Sequence, residues 1–454
     1  MKNSVKKWLY LMCAVQFLLP SAQTAALRAE ETARYELTLE KAIALVLGQN
    51  RDVLIADQER YKADSQIREA RAGAFPQVTI SGNYTRNVKL PVMFLSPNTQ
   101  LNPTSSTQTF AIGSNNSYAM GASLSQTLFN RKVGVAMDIA NQYHDYAEES
   151  YRATTQSAVL AVKRAFYGVL LSQKLVEANR QGLDVAKANF ENVQSLYKFG
   201  KASEFDLLRA EVQLANTEPL LIAAENNLVL AANGLKNIVA IPQDAPLTVQ
   251  GEFGYEEIPA AMSDAAKRNA LSVNPLITGL SLQESMLEKN IIIERANNFP
   301  TISLVGAYQW QTQDNTFGFN DYRWAKVLNV GLQFSYPIFD GFRTSARVDE
   351  ADIDRQKIHY TRLKTEEGLG IQIQSAELKM AEAKKRIEGQ EKNIAQAEKA
   401  VRIAQSRFKN GVGTQFDLLD TQVAMTRTRT NYAQAIYDFL IAKAEWQYAV
   451  GLPN

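Results

Sequence analysis

A chain of 454 residues with 46% hydrophobic and 21% charged residues is a folded protein, not a disordered, collagen-like or disulfide-knotted one. Its 49 Lys and Arg against 47 Asp and Glu leave a formal charge of +2, far from the basic excess of a nucleic-acid binder. No apolar run reaches the roughly 18 residues that a membrane-spanning helix needs, so residence in a membrane would have to be built without such helices.

The N-terminus reads as an export signal over residues 1–26. Lys2, Lys6 and Lys7 precede an apolar stretch from Trp8 to Leu19, and small residues follow up to Ala26 or Ala29, the two candidate cleavage points. Cleavage removes Cys13, the only cysteine; Met12 before it does not suit lipidation. The mature chain then carries no thiol, which suits an oxidising compartment and leaves no disulfide to hold the fold.

The rest of the chain is one unit used twice. The first repeat, 27–242, is predicted to open with a helix over 38–73 and to continue through strands at about 76–87 and 117–128. A Ser/Thr/Asn-rich insertion from Lys89 to Asn116 separates those strands; a long helix over 131–199 and a helix over 204–240 complete the repeat. A linker over 243–262 leads to the second repeat, 263–454, with a helix, strands at about 300–311 and 326–338, a long helix over 341–409 and a helix over 415–450. The duplication is legible residue by residue. Ala70-Arg71-Ala72-Gly73-Ala74-Phe75-Pro76 returns 224 positions later as Glu294-Arg295-Ala296-Asn297-Asn298-Phe299-Pro300, and the same offset aligns Asn50 with Asn274, Gly82 with Gly306 and Tyr84 with Tyr308. Phe205-Asp206-Leu207-Leu208 returns after 211 positions as Phe416-Asp417-Leu418-Leu419, together with Gly200 as Gly411.

Both long helices are free of proline and carry apolar residues seven apart: Val162, Val169, Val176, Leu183, Phe190 and Tyr197 in the first, Ile373, Met380, Ile387, Ile394, Val401 and Phe408 in the second. Alanines interleave with them, Ala186 and Ala397 among others, a pattern for close, left-handed supercoiled helices. At 1.5 Å per residue the first would be roughly 100 Å long, too long for a compact bundle. The strands alternate over about ten residues. Val78, Ile80, Gly82 and Tyr84 lie opposite Gln77, Thr79, Ser81 and Asn83, and Leu328, Val330, Leu332, Phe334 and Tyr336 opposite Asn329, Gly331, Gln333 and Ser335. Such stretches, with Tyr and Trp near their ends, are what lipid-facing barrel strands show. Four strands cannot close a barrel and open edges are forbidden in lipid, so the barrel must be shared between chains. Two chains would give eight strands with an interior filled by side chains; three would give twelve, wide enough for a lumen.

These features resemble the TolC-like outer-membrane efflux (channel-tunnel) family. The resemblance covers essentially the whole mature chain and is carried by Leu37-Thr38-Leu39-Glu40-Lys41-Ala42-Ile43, by Arg68-Glu69-Ala70-Arg71-Ala72-Gly73-Ala74-Phe75-Pro76-Gln77, and by the two copies of Phe-Asp-Leu-Leu. It implies an α+β membrane protein: a homotrimer whose twelve-stranded β-barrel in the outer membrane, four strands per chain, continues into a long coiled α-helical barrel across the periplasm. It also implies a passive exit duct of a tripartite efflux or type I secretion system, with a periplasmic adaptor, an inner-membrane pump and outer-membrane lipid as partners.

Functional positions are expected where each long helix turns into the next. Gly200 and Gly411 should end their helices in the left-handed conformation. Ser203 and Thr414 are placed to cap the following helices, with Asp206 and Asp417 in the first turn. In the family, adaptor hairpins seat at these tips, which makes Gly200, Lys201, Gly411 and Gly413 docking candidates. Asp417 and Asp420, three apart on one helix face, correspond to a pair that lines the pore mouth, so that a trimer would hold six carboxylates there, able to concentrate or bind cations. Some members lock this entrance with a Tyr and an Arg of the second tip bonded to the Asp of the first. The aligned positions here are Phe408 and Gly413, which can do neither; Arg209, aligned with Asp420 by the repeat, offers an alternative charge pair.

An enzyme finds little support. His144 and His359 are the only histidines and fall on helices of different repeats as surface residues, and no nucleotide-cradling loop or nucleophile elbow is present. Scattered methionines offer no soft-metal site, and neither metal nor cofactor is expected. The rival reading, a soluble periplasmic coiled-coil adaptor or scaffold, would not need four strands with aromatic-flanked apolar faces.

Overall fold

The computed structural model describes residues 35–256, 260–317 and 322–452; the export signal over 1–26 lies outside them. In chain order the elements are β1 (Tyr35–Leu37), α1 (Leu39–Gln49), α2 (Arg51–Ala72), β2 (Gln77–Arg86), β3 (Val92–Leu95), β4 (Gln108–Ala111), β5 (Asn116–Phe129), α3 (Arg131–Lys198), α4 (Glu204–Ile238), β6 (Leu247–Val249), α5 (Ala260–Val273), α6 (Pro275–Arg295), β7 (Thr301–Asp314), β8 (Ala325–Ser335), α7 (Arg343–Lys409) and α8 (Gln415–Ala449). They form two compact units, one of residues up to 45 with 162–254 and 390–437, the other of 46–161, 255–389 and 438 onward. Each unit therefore draws on both sequence repeats.

The second of these units holds a four-stranded antiparallel sheet in the order β2-β5-β7-β8. Ile80 pairs with Ala122, Ala122 with Tyr308, and Tyr308 with Leu328. Apart from the irregularity that sets Phe129 opposite Ile302, every register joins even-numbered residues to even-numbered ones, so the apolar half of each alternating strand falls on a single face. On the edge strands that face is bare: Ile80 is 83% exposed and Leu328 72%. Aromatics gather at one end, where Tyr84 stacks on Tyr118 at 4.8 Å and Tyr308 meets Trp310 edge-on at 5.2 Å. Gly121 is required by close strand approach, since a Cβ there would lie 2.6 Å from the Tyr308 carbonyl oxygen.

Three features depart from the sequence expectation. The helix expected over 38–73 is two helices, because Asn50 caps α2 by accepting from the backbone N–H of Asp52 and Val53. Its repeat counterpart Asn274 caps α6 from Leu276 and also donates to the Ala449 carbonyl at 3.1 Å. Both Asn50→Ala and Asn274→Ala should destabilise by removing a cap, about 1 kcal/mol. Asn274→Ala should cost about 2–3 kcal/mol in all, because it also orphans the buried Ala449 carbonyl, and denaturant unfolding measures it. The insertion between β2 and β5 folds as a β3–β4 hairpin, ordered around the fully buried Asn102, whose amide donates to the carbonyls of Leu95 and Ser106. In the other unit β1 and β6 pair in parallel, a contact too short to show as periodicity.

The seam of α3 is buried at Val162, Val169, Ala186 and Val193, and that of α7 at Ile373, Ala383, Ile387 and Ala404; Ala397 is only half-buried. In the sheet-bearing unit the core closes on Trp446, packed with Ala270, Ile277, Leu369 and Ile373.

Two charged nodes in this unit tie the short helices to the long ones. Arg60 of α2 donates from Nε and Nη2 to Glu148 of α3 at 2.9 and 2.6 Å and lies 4.8 Å from the ring centroid of Tyr151. Glu284 of α6 stands at the repeat-equivalent position and receives His359 Nδ1 and Arg362 Nε of α7, each at 2.9 Å. Burial alone would raise the Glu284 pKa, but the hydrogen bonds and charges of Arg362 and His359 outweigh it and hold this carboxyl below the usual carboxylate range.

Candidate functional site

Both helix-to-helix tips belong to the unit that contains residues 162–254 and 390–437, and both are built alike. Gly200 has φ +67° and Gly411 φ +73°, the left-handed conformation that only glycine adopts without strain. The amides of Lys201 and Val412 then reach back to the carbonyls of Leu196 and Arg407 at 2.8 and 3.0 Å, satisfying groups that the helix ends leave open. Gly413 has a different reason. A Cβ there would lie 2.8 Å from Arg407 Cβ, so the returning chain lies too close to α7 for any side chain.

The helices that follow start with reciprocal caps. Ser203 and Asp206 exchange bonds, the Asp206 amide donating to Ser203 Oγ at 3.1 Å and the Ser203 amide to Asp206 Oδ2 at 3.1 Å. Thr414 and Asp417 repeat this at 3.1 and 3.3 Å. Both aspartates are thus committed to caps, each with a carboxylate on the positive end of a helix. Asp420 is exposed and has no hydrogen bond or ion pair among the described residues.

Arg209 forms no ion pair among the described residues either, so within the chain the expected charge pair with Asp420 is replaced by something else. Its guanidinium carbon lies 5.5 Å from the ring centroid of Phe205 on its own helix and 4.9 Å from that of Phe416 on the other tip. Both rings are otherwise open, Phe205 being 68% exposed and Phe416 54%. The cation bridges the two tips through π faces rather than carboxylates. The duplicated Phe-Asp-Leu-Leu contains both rings, and Arg209 stands four residues after Phe205, a helix-neighbour spacing; the contact with Phe416 needs the fold. Gln415 and Asn189, 3% and 5% exposed, went unnoticed in the sequence; their amides have no hydrogen-bond partner among the described residues.

The histidines lie elsewhere, half-exposed on their helices, with His144 Nδ1 3.2 Å from Asp64 and His359 on Glu284. Among the described residues no group of three or more His, Cys, Asp or Glu is placed to hold a metal ion.

A family model described as outer membrane efflux protein matches residues 42–240 and 267–452. The chain belongs to the outer membrane efflux protein family. It is 20% identical over 392 residues to the outer membrane protein TolC of Vibrio cholerae, covering 85% of this chain and 86% of that one. It is 25% identical over 346 residues to the alkaline protease secretion protein AprF of Pseudomonas aeruginosa, covering 74% and 70%. The fold of this efflux protein is shared with the crystal structure of the CmeC outer membrane channel of Campylobacter jejuni, with a TM-score of 0.74 at 17% identity over 91% of this chain and 85% of that one. Family membership places this efflux protein in the outer membrane as a channel component.

Proposed function

We propose that three copies of the chain close a twelve-stranded barrel in the outer membrane, continuous with a helical tunnel in the periplasm. The assembly acts as the passive exit duct of a tripartite efflux or type I secretion system. The observation that carries the reading is the open sheet: β2 and β8 are edges with bare apolar faces, and lipid tolerates no unpaired strand edge. A relative named for alkaline protease secretion and another named for a cation efflux system fit a duct whose cargo is chosen by its pump. A periplasmic adaptor would dock at Gly200, Lys201, Gly411 and Gly413, where two glycine-shaped turns leave notches flanked by the exposed Phe199 and Val412.

Asp417 and Asp420 line the entrance in this reading, with Asp206 and Arg209 beside them. Six carboxylates around a narrow mouth are only partly screened at a Debye length of about 8 Å. In mild detergent the protein should run as a trimer by mass, and reconstituted channels should prefer cations and be blocked from the tip side by multivalent cations. Asp417→Asn with Asp420→Asn keeps a capping oxygen at 417 and should weaken both preference and block while leaving the trimer intact. A monodisperse monomer with intact strands would sink the assembly; unchanged selectivity would reduce both aspartates to helix-start residues.

A further inference from the structure

The sheet contains its own rule for what should lie beyond its edges. Moving β2 forward by 224 positions gives β7, and moving β5 forward by 210 gives β8: the observed pair Gln77↔Ser125 becomes Thr301↔Ser335, and Ile80↔Ala122 becomes Leu304↔Leu332, both of which are observed. Within this sheet, the β5–β7 contact is the one pairing with no counterpart among the described residues. Its image under the same offsets is β8 against β2 of another copy. Ser125↔Val305, Leu124↔Gly306 and Ala122↔Tyr308 then become Ser335↔Ser81, Phe334↔Gly82 and Leu332↔Tyr84. This register keeps apolar residues with apolar ones on the lipid side; a slip of one residue would invert an entire strand.

Two vacancies match it. The image of Gly121, whose missing Cβ makes room for Tyr308, is Gly331, and a Cβ at Gly331 would meet nothing within 4 Å. The image of Gly306, which lies 3.8 Å below Leu124 Cβ when given its own Cβ, is Gly82, equally empty. Two glycines are spaced for a strand that the single chain does not supply.

The junction below the sheet repeats the argument. Where β5 enters α3, Arg131 lies 4.4 Å from the ring centroid of Phe299. The offset of 211 that relates α3 to α7 puts Phe342 in the place of Arg131, and 224 puts Phe75 in the place of Phe299. Phe342 is 76% exposed and Phe75 63%. Phe342 is also held at φ +64°, a conformation costly for a bulky side chain, and packs edge-on against Phe339 beside a groove of ≈ 460 Å³.

We infer that β8 and the groove at its junction with α7 are the docking site for a second copy of this chain, which adds its β2 in the register Ser335↔Ser81 and seats its Phe75 against Phe342. The inference rests on the reading of the duct as an assembly of copies and specifies the seam between them.

Ser335→Cys with Ser81→Cys tests it in the exported chain, which keeps no native thiol once the segment bearing Cys13 is removed. Directly opposite residues bring Cβ atoms to about 4.5–5.5 Å, near disulfide reach, whereas a partner displaced by two lies about 7–8 Å away. Oxidation in outer membranes should link the 335/81 pair into reducible dimers and trimers. The displaced pair, Ser335→Cys with Asn83→Cys, should link at least about tenfold more slowly. Phe75→Ala should lower the temperature at which the trimer dissociates. A displaced pair that links as fast, or no link in a protein that still sizes as a trimer, would overturn the seam and leave the trimer standing. A Phe75→Ala trimer as heat-resistant as the parent would overturn the aromatic seat. A monomer by mass would remove both seam and assembly.

Discussion

Trp446→Ala is expected to cost about 3–5 kcal/mol, the largest loss of stability from any single substitution proposed for this chain. Trp446 is 1% exposed, and its neighbours Ala270, Ala376 and Ala449 are already the smallest side chains that a core can use, so the hole has little means of collapse. The indole also donates from Nε1 to Glu377 Oε1 at 3.2 Å, and the same carboxylate holds Lys267 Nζ at 2.6 Å. Trp446→Phe separates the two contributions: it keeps most of the ring but loses the donor, and should cost about 1–2 kcal/mol. Denaturant unfolding of the detergent-solubilised protein gives both values. A loss below about 1 kcal/mol for the alanine variant would mean that this cluster is not where the sheet-bearing unit is held together.

Arg209→Gln should shift the entrance toward its open state. The guanidinium touches one ring on each tip and has no carboxylate partner among the described residues. Glutamine cannot reproduce a cation over a π face, so the link between tips is lost while the helix is kept. A cation–π contact at an exposed site is worth about 0.5–1 kcal/mol. Three of them in the proposed trimer would bias the closed state by about 1.5–3 kcal/mol, roughly 10–150-fold in the closed-to-open ratio. Phe416→Leu should act in the same direction, and Arg209→Lys should restore part of the effect, since an ammonium is more strongly hydrated than a guanidinium and stacks less well. Open-state occupancy of single reconstituted channels reads all three. Unchanged occupancy in Arg209→Gln and Phe416→Leu alike would leave the stack as tip packing with no part in closure.

Much of this was legible before any coordinates. Strand alternation, the two uninterrupted long helices, the left-handed Gly200 and Gly411, and the caps at Ser203 and Thr414 are local consequences of residue type and spacing. The break at Asn50 was visible as a duplicated asparagine but not as a cap, because apolar periodicity runs on through α1 and α2. The β3–β4 hairpin was hidden by its Ser/Thr/Asn-rich composition; its order comes from one buried asparagine rather than from an alternating face. Within the chain Arg209 lies against rings rather than a carboxylate. Charge complementarity suggests a carboxylate, yet Asp206 and Asp417 are taken by their own helix starts, and the ring of Phe416 lies 207 residues along the chain, beyond any spacing rule.

The paired nodes at Arg60 and Glu284 have a consequence for how the halves recognise each other. The contacts fall at equivalent places, 60 against 148 and 151, 284 against 359 and 362, but the sign is inverted: a cation on the short helix in one half, an anion in the other. Should the short helix of one half settle on the long helix of its sibling, Arg60 would confront Arg362 and Glu284 would confront Glu148, like charges brought together at partly buried positions. In the ring of six nearly interchangeable half-units that the proposed trimer would form, that inversion would work as a polarised key. There it would keep first and second halves alternating, and neither half could be copied six times over to make that ring without rewriting its own charges.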